Sequence, residues 1–258
     1  MTGNVPFSES ASPAQSGPIT IVPLYTFDEV KTAATPAHLV YNNGPLLTSV
    51  QVFTVFWGAA WQQSPLSDTL QNLNGFFDFI LTSPLMDQMA EYSTATQKIG
   101  RGSRTGTTTI TTPNPAATIA DSDIQQMLNT AIANGTVPQA TSNTLYFVYL
   151  PSGVAVSQGG QSSCQAFCGY HDSINGQTFY AVMPYPDCAG CASNLAPFDA
   201  LTATSSHELC EAITDPVPGQ GWYDQANGEI GDICAWQMKQ VGNYTVQKEW
   251  SNSANSCI

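Results

Sequence analysis

"FDALTATSSHELCEAITDP", residues 198–216, is the stretch that decides how the chain is read. It predicts a helix over 198–215, because its apolar and small residues recur without a breaker and Pro216 disfavours helical backbone just before it. Residues four apart on a helix share a face, about 5–6 Å between Cβ atoms. His207 and Glu211 are therefore placed to ligate one ion, with Glu208 projecting to the side as a general base. The pattern is the H-E-x-x-H of zinc proteases with its second histidine replaced by glutamate. Zinc accepts carboxylate oxygen as well as imidazole nitrogen, although glutamate at the second position is unusual and makes a more anionic, less Lewis-acidic site. A catalytic ion needs a third protein ligand. Asp232 and His171 are the leading candidates, with Asp215, Asp224 and Glu229 also near in sequence or type.

Blander readings compete with this one. An H-E-x-x-E pattern arises by chance, and its glutamates could be a solvated face. The acids of "GWYDQANGEIGD" (221–232) could hold calcium, since oxygen donors on a loop suit a hard cation, or could stabilise turns around the glycines. Two features favour the metal. The chain is poor in charge yet gathers acids and histidine here. Glu208 and Glu211 also alternate with Leu209, Cys210, Ala212 and Ile213, so if the segment is buried its carboxylates need partners.

The composition narrows the partners. Of 258 residues only 10% are charged, against roughly 25% in ordinary soluble domains. The 19 acids and 6 bases leave a net charge of −13, which excludes nucleic acid and anionic membrane as electrostatic partners and suits cations. Seven cysteines, all beyond residue 163, point to an oxidising compartment and two or three disulfides. Cys188-x-x-Cys191 could instead be a redox pair, or a zinc knuckle with Cys164 and Cys168; structural disulfides are the favoured reading. No apolar run reaches membrane-spanning length. The first 18 residues lack the basic and apolar regions of a signal peptide and read as a disordered tail, so secretion requires a signal already removed or another route.

Along the chain, 19–27 reads as a first strand or extended arm, and 49–58, 143–151 and 176–186 as buried strands. Helices are expected over 67–83, 84–93 and 119–138, the last capped by Asp121 or Ser122 and ended at Asn134-Gly135. The Thr-rich 105–115 reads as strand then loop, and 244–252 as a final strand. The fold class is α/β in an α+β layered sense. A mixed sheet is flanked by helices, with a zincin-like active-site helix and a loop-rich, disulfide-containing C-terminal part. Residues 1–36 form a tail or arm and 37–258 a single catalytic-type domain.

Five stretches, in order, resemble the Exordium, or phosphate-induced, family: "HLVYNNGPLLTSVQVFTVFWG" (38–58), "CQAFCGYH" (164–171), "CAGC" (188–191), "SHELCEAITDP" (206–216) and "GWYDQANGEIGDIC" (221–234). The resemblance runs from about residue 38 to the end and is strongest over 164–234. It implies secretion, plant members being cell-wall proteins linked to growth, and bacterial and fungal relatives looking like secreted zinc-type hydrolases. It implies a shared site on Cys164, Cys168, His171, Cys188, Cys191, His207, Glu208, Glu211, Glu229, Asp232 and Cys234. Asp215 departs from the plant pattern, which has asparagine. Cys210 and Cys257 look like additions that pair with each other or with Cys234.

The expected function is a secreted zinc-dependent metallopeptidase. His207 and Glu211 bind the metal, Asp232 or His171 completes the set, and Glu208 is the base. The substrate is a peptide or protein that adds as a strand to 176–184, and the protein is a monomer. Two rivals stand beside it. One is an extracellular wall- or receptor-binding protein with a structural zinc or calcium. The other is a metal-free glycan hydrolase using two carboxylates.

Overall fold

A computed structural model describes residues 21–25 and 36–258. The tail expected over 1–18, and most of the arm to residue 36, lies outside the described residues.

The frame is a six-stranded mixed sheet. Its strands are β1 (Ile21–Pro23), β2 (Gln51–Trp57), β3 (Ser103–Ile110), β4 (Thr144–Tyr149), β5 (Phe167–Ile174) and β6 (Thr178–Met183). Their spatial order is β1-β5-β6-β4-β2-β3. The β3, β2, β4 and β6 strands run parallel, and β5 is antiparallel both to β6 and to β1. Parallel interior strands are covered on both faces, which is why β2 (QVFTVFW) and β4 (TLYFVY) are nearly continuous runs of aromatic and β-branched residues. The edge strand β3 is Thr-rich and alternates exposed with half-buried residues.

Two cores follow from the two-residue period of the strands. Phe53, Val55, Trp57, Tyr146, Val148, Tyr180 and Val182 face one way, onto helix α3. Val52, Phe56, Leu145, Phe147, Tyr149, Phe179, Ala181 and Met183 face the other, onto three helices. Those are α1 (Leu66–Ile80), α2 (Pro84–Met89) and α5 (Pro197–Thr214), with α3 spanning Asp121–Ala133 and the short α4 spanning Ala189–Ala192. The α1 helix lies on the sheet through Leu70, Leu73, Phe76, Phe77 and Ile80 at helical spacing, each contributing about 1.5–3 kcal/mol by burial.

Several expectations are corrected. The α3 cap is neither Asp121 nor Ser122 but Ala120, whose amide donates to Asp123 Oδ2 at 2.8 Å. The sheet takes Asp121 instead: its carboxylate accepts from the hydroxyls of Tyr170 and Tyr180 at 2.7 and 2.8 Å. The expected second helix gives way at residue 90 to a tighter 3₁₀ turn, and the expected strand 244–252 is broken. Its first part is β8 (Tyr244–Gln247), which forms a hairpin with β7 (Met238–Val241). Its second part, Trp250–Ser251, pairs with Ser256–Cys257. Strand β6 lies between β5 and β4, so both its edges are filled and the stretch 176–184 cannot receive a peptide by strand addition.

Three disulfides pin the C-terminal half: Cys164–Cys188, Cys168–Cys191 and Cys234–Cys257. The C-x-x-C cysteines thus go to different partners at the start of β5, and neither a redox pair nor a zinc knuckle forms. Cys210 is buried and unpaired. Among the described residues, no helix is long and apolar enough to cross a membrane.

Candidate metal centre

Helix α5 is buried on every side, from Ala200 to Thr214. One side packs on β5 and β6, and another lies under β8. Side chains tie it down: Thr202 donates to the Thr245 carbonyl at 2.8 Å, Ser206 accepts from the Gln247 amide at 2.9 Å, and Ser205 pairs with the Tyr149 hydroxyl at 2.7 Å. A helix enclosed in this way ought to be apolar throughout. This one carries His207, Glu208 and Glu211, all 0% exposed.

Strand β5 supplies the facing residue. The alternation that points Tyr170 into the α3 core points Gly169 and His171 at α5. A side chain at 169 would meet Thr204 Cγ2 at 2.6 Å and Glu208 Oε1 at 3.3 Å, so glycine allows the close approach of helix and strand. His171 is wholly buried. Its Nδ1 lies 3.0 Å from Glu208 Oε2 and 3.5 Å from Glu211 Oε2, and its Nε2 lies 3.1 Å from the Asp215 carbonyl and 3.5 Å from Glu229 Oε1. His207 Nε2 lies 2.8 Å from Glu211 Oε1, but the pair lacks hydrogen-bond alignment.

The loop after α5 closes the site. Asp215 ends the helix, and its carboxylate accepts the amides of Gly219, Gln220 and Gly221. Asp224 is likewise occupied, by the amides of His38, Ala226 and Asn227 at 2.7 to 3.0 Å. These two acids shape turns, and the stretch 221–232 does not arrange its oxygens around one point. Asp232 does reach the cluster: its amide donates to Glu211 Oε1 at 3.1 Å, while its Oδ2 accepts the Glu229 amide at 3.0 Å. That turn sends the Glu229 side chain inward. Two groups result whose ligand atoms all lie within 4.8 Å of one another, His171 with Glu211 and Glu229, and His207 with Glu208 and Glu211.

Of the residues singled out in the sequence, His171, His207, Glu208 and Glu211 place ligand atoms in these groups, whereas Asp232 reaches them through its backbone amide and turns its carboxylate to the Glu229 amide. Glu229, a lesser candidate, supplies the ligand atom beside His171 and Glu211 that Asp232 does not. Glu249 was missed. It is 0% exposed and lies within electrostatic reach of His207, Glu211 and Asp232. A lone acid in "QKEWS" carries no spacing signal; its inward position is set by the bridge of Glu249 and Ile258 backbones.

The electrostatics are those of a cluster short of positive charge. Burial pushes the carboxyls of Glu208, Glu229, Asp232 and Glu249 up. Burial also raises Glu211, but His207 and His171 outweigh it and hold its pKa down. Both imidazoles are raised; burial opposes their charging, and Glu229 foremost at His171 and Glu211 foremost at His207 overcome it. Arg101 and Arg104 pair elsewhere, with Asp87 and Asp78. Buried polar atoms normally find partners. Here His207 Nδ1 and Nε2, Glu208 Oε1, Glu211 Oε2 and both oxygens of Glu229 have no hydrogen-bond partner among the described residues. These orphaned imidazole and carboxylate atoms are of the kind that could hold a divalent ion.

Two outcomes follow. A methyl at Gly231 would lie 2.7 Å from His207 Nδ1 and 2.9 Å from Glu211 Oε1. Gly231→Ala is expected to weaken metal affinity about 10–100-fold, as loss of supporting geometry does, measured by competition with a chromophoric chelator. The metal-free protein should be more stable at pH 5 than at pH 8. The raised carboxyls stabilise it below their ordinary 3.8–4.5, and this is lost as pH rises through their folded values. The raised histidines stabilise it below 6.5 and lose that contribution in the same direction. Glu211, held down, contributes oppositely and only toward acid pH. Metal requires deprotonated ligands, so the loaded protein should reverse the trend. Thermal melts of both forms across pH check this.

A hollow of about 580 Å³ is lined by Trp57, Ile110, Pro113, Met127 and neighbours, against α3 on the opposite face of the sheet. It is not part of this site. No family model and no curated protein matches the sequence.

Proposed function

We propose that this protein is a secreted metal-dependent hydrolase of the zinc metallopeptidase class, with a peptide or protein as substrate. The observation that carries the reading is the set of orphaned ligand atoms on His207, Glu208, Glu211 and Glu229 in a site with no solvent exposure. His207 and Glu211 on α5, with His171 and Glu229 from β5 and the loop, would hold the ion. When bound, the ion supplies Lewis acidity at neutral pH. Glu208 is the base: His171 holds its Oε2 at 3.0 Å, leaving Oε1 free to take a proton from an attacking water. Burial raises the Glu208 carboxyl above its ordinary value, the direction that makes it a better proton acceptor.

Membership of an Exordium-like family is part of the proposal. Motifs separated by up to about 70 residues, "CQAFCGYH", "CAGC", "SHELCE" and "GEIGDIC", supply either the cluster or the disulfides beside it. The three disulfides fit an oxidising, extracellular setting. The net charge of −13 gives no footing for nucleic acid or anionic membrane.

A second reading keeps the ion and drops the chemistry. Every residue of the cluster is buried, as in a closed structural site. In that case the ion clamps the 215–234 loop onto α5 and stiffens an extracellular binding protein. Hydrolysis requires the loop, anchored through Asp215, or strand β1 on the β5 edge to move aside. A screen of zinc-loaded protein against quenched fluorescent peptide libraries decides between them: cleavage abolished by chelation supports the peptidase, and stoichiometric metal without cleavage supports the clamp.

A further inference from the structure

We infer that the cluster binds two divalent cations rather than one, with the Glu211 carboxylate bridging them; this rests on the metal reading above. The two ligand groups share one residue, Glu211. Its oxygens look in different directions, Oε1 to His207 Nε2 at 2.8 Å and Oε2 to His171 Nδ1 at 3.5 Å. A carboxylate with an imidazole on each side is the arrangement of paired-metal sites, where two ions sit about 3.5–4 Å apart. His171 and Glu229 serve one ion and His207 the other, and Glu208 stands beside the second as the base.

Charge points the same way. Six acids are buried around the two histidines: Glu208, Glu211, Asp215, Glu229, Asp232 and Glu249. Backbone amides satisfy Asp215 and Asp232. The remaining four, Glu208, Glu211, Glu229 and Glu249, each keep at least one oxygen without a partner among the described residues. Two divalent cations offset more of this buried negative charge than one does, and buried charge left uncompensated is costly. In this arrangement Glu249 is the counter-charge on the His207 side.

The test is a metal count on the full-length protein. It is stripped with chelator, titrated with Co²⁺ while visible absorption is followed, and loaded with Zn²⁺ for native mass spectrometry. The expected result is saturation at two ions per chain. His171→Ala and Glu229→Gln should each retain one ion, as should His207→Ala, and Glu211→Gln should weaken both by at least tenfold. The wild-type count needs no variant to fold, and melting curves verify the variants. Saturation at one ion in excess Co²⁺ and Zn²⁺ overturns the paired site and leaves the single-metal reading standing. No binding of either metal overturns both.

Discussion

Glu208→Gln is expected to bind metal as the wild type does and to lose about 10²–10⁴-fold in hydrolytic rate. The substitution keeps the shape of the side chain and its contact with His171, and removes only the capacity to accept a proton. Glu208 differs from its neighbours in this respect. Glu211 lies against both histidines, whereas Glu208 Oε2 faces His171 and Oε1 has no partner. Loss of activity with full metal content identifies a base. Unchanged peptide cleavage would remove Glu208 from the chemistry, and lost metal would make it a ligand.

His207→Ala, or chelation of the wild type, is expected to lower stability by about 3–5 kcal/mol, the usual cost of leaving buried charge uncompensated. For a chain of this size each kcal/mol moves the melting temperature by roughly 2–4 °C, so the drop should be on the order of 10 °C. The reason lies in the packing. Residues 200–214 are enclosed by the sheet, α1, α2 and the β7–β8 hairpin, so water cannot reach the orphaned carboxylates without opening the domain. Asp87→Asn is the control, since its pair with Arg101 lies on the surface and should leave the melt almost unchanged. If His207→Ala melts like the wild type in the presence of metal, His207 is not a ligand.

Some of this structure was legible before any fold was known. Strands β2 and β4 announce themselves as β-branched and aromatic runs, and α1 by Leu70, Leu73, Phe76, Phe77 and Ile80 at helical spacing. The α5 helix was legible because nothing between Pro197 and Pro216 breaks it, and the H-E-x-x-E pattern lay within it. Strand β5 was not. Its face toward α5 reads Gly169, His171, Ser173, which is polar because it covers a polar site, so the usual alternation is missing. Asp121 resembled a cap because capping is a local rule, whereas the tyrosine hydroxyls that claim it are about 50 and 60 residues away. The same limit applies at the site. That the loop contributes acids could be read from "GEIGD". That Asp232 would bond the Glu229 amide and turn Glu229 inward depends on a turn that forms only against α5. Glu249 reaches the cluster solely through the pairing of the chain end, and no local pattern reports it.

The most direct test of the central claim is the metal content of the purified full-length protein, measured by inductively coupled plasma mass spectrometry beside His207→Ala. The buried histidines and glutamates predict at least one zinc per chain in the wild type and a clear loss in the variant. Wild-type protein without bound metal, unable to take up zinc after dialysis against it, would contradict the account.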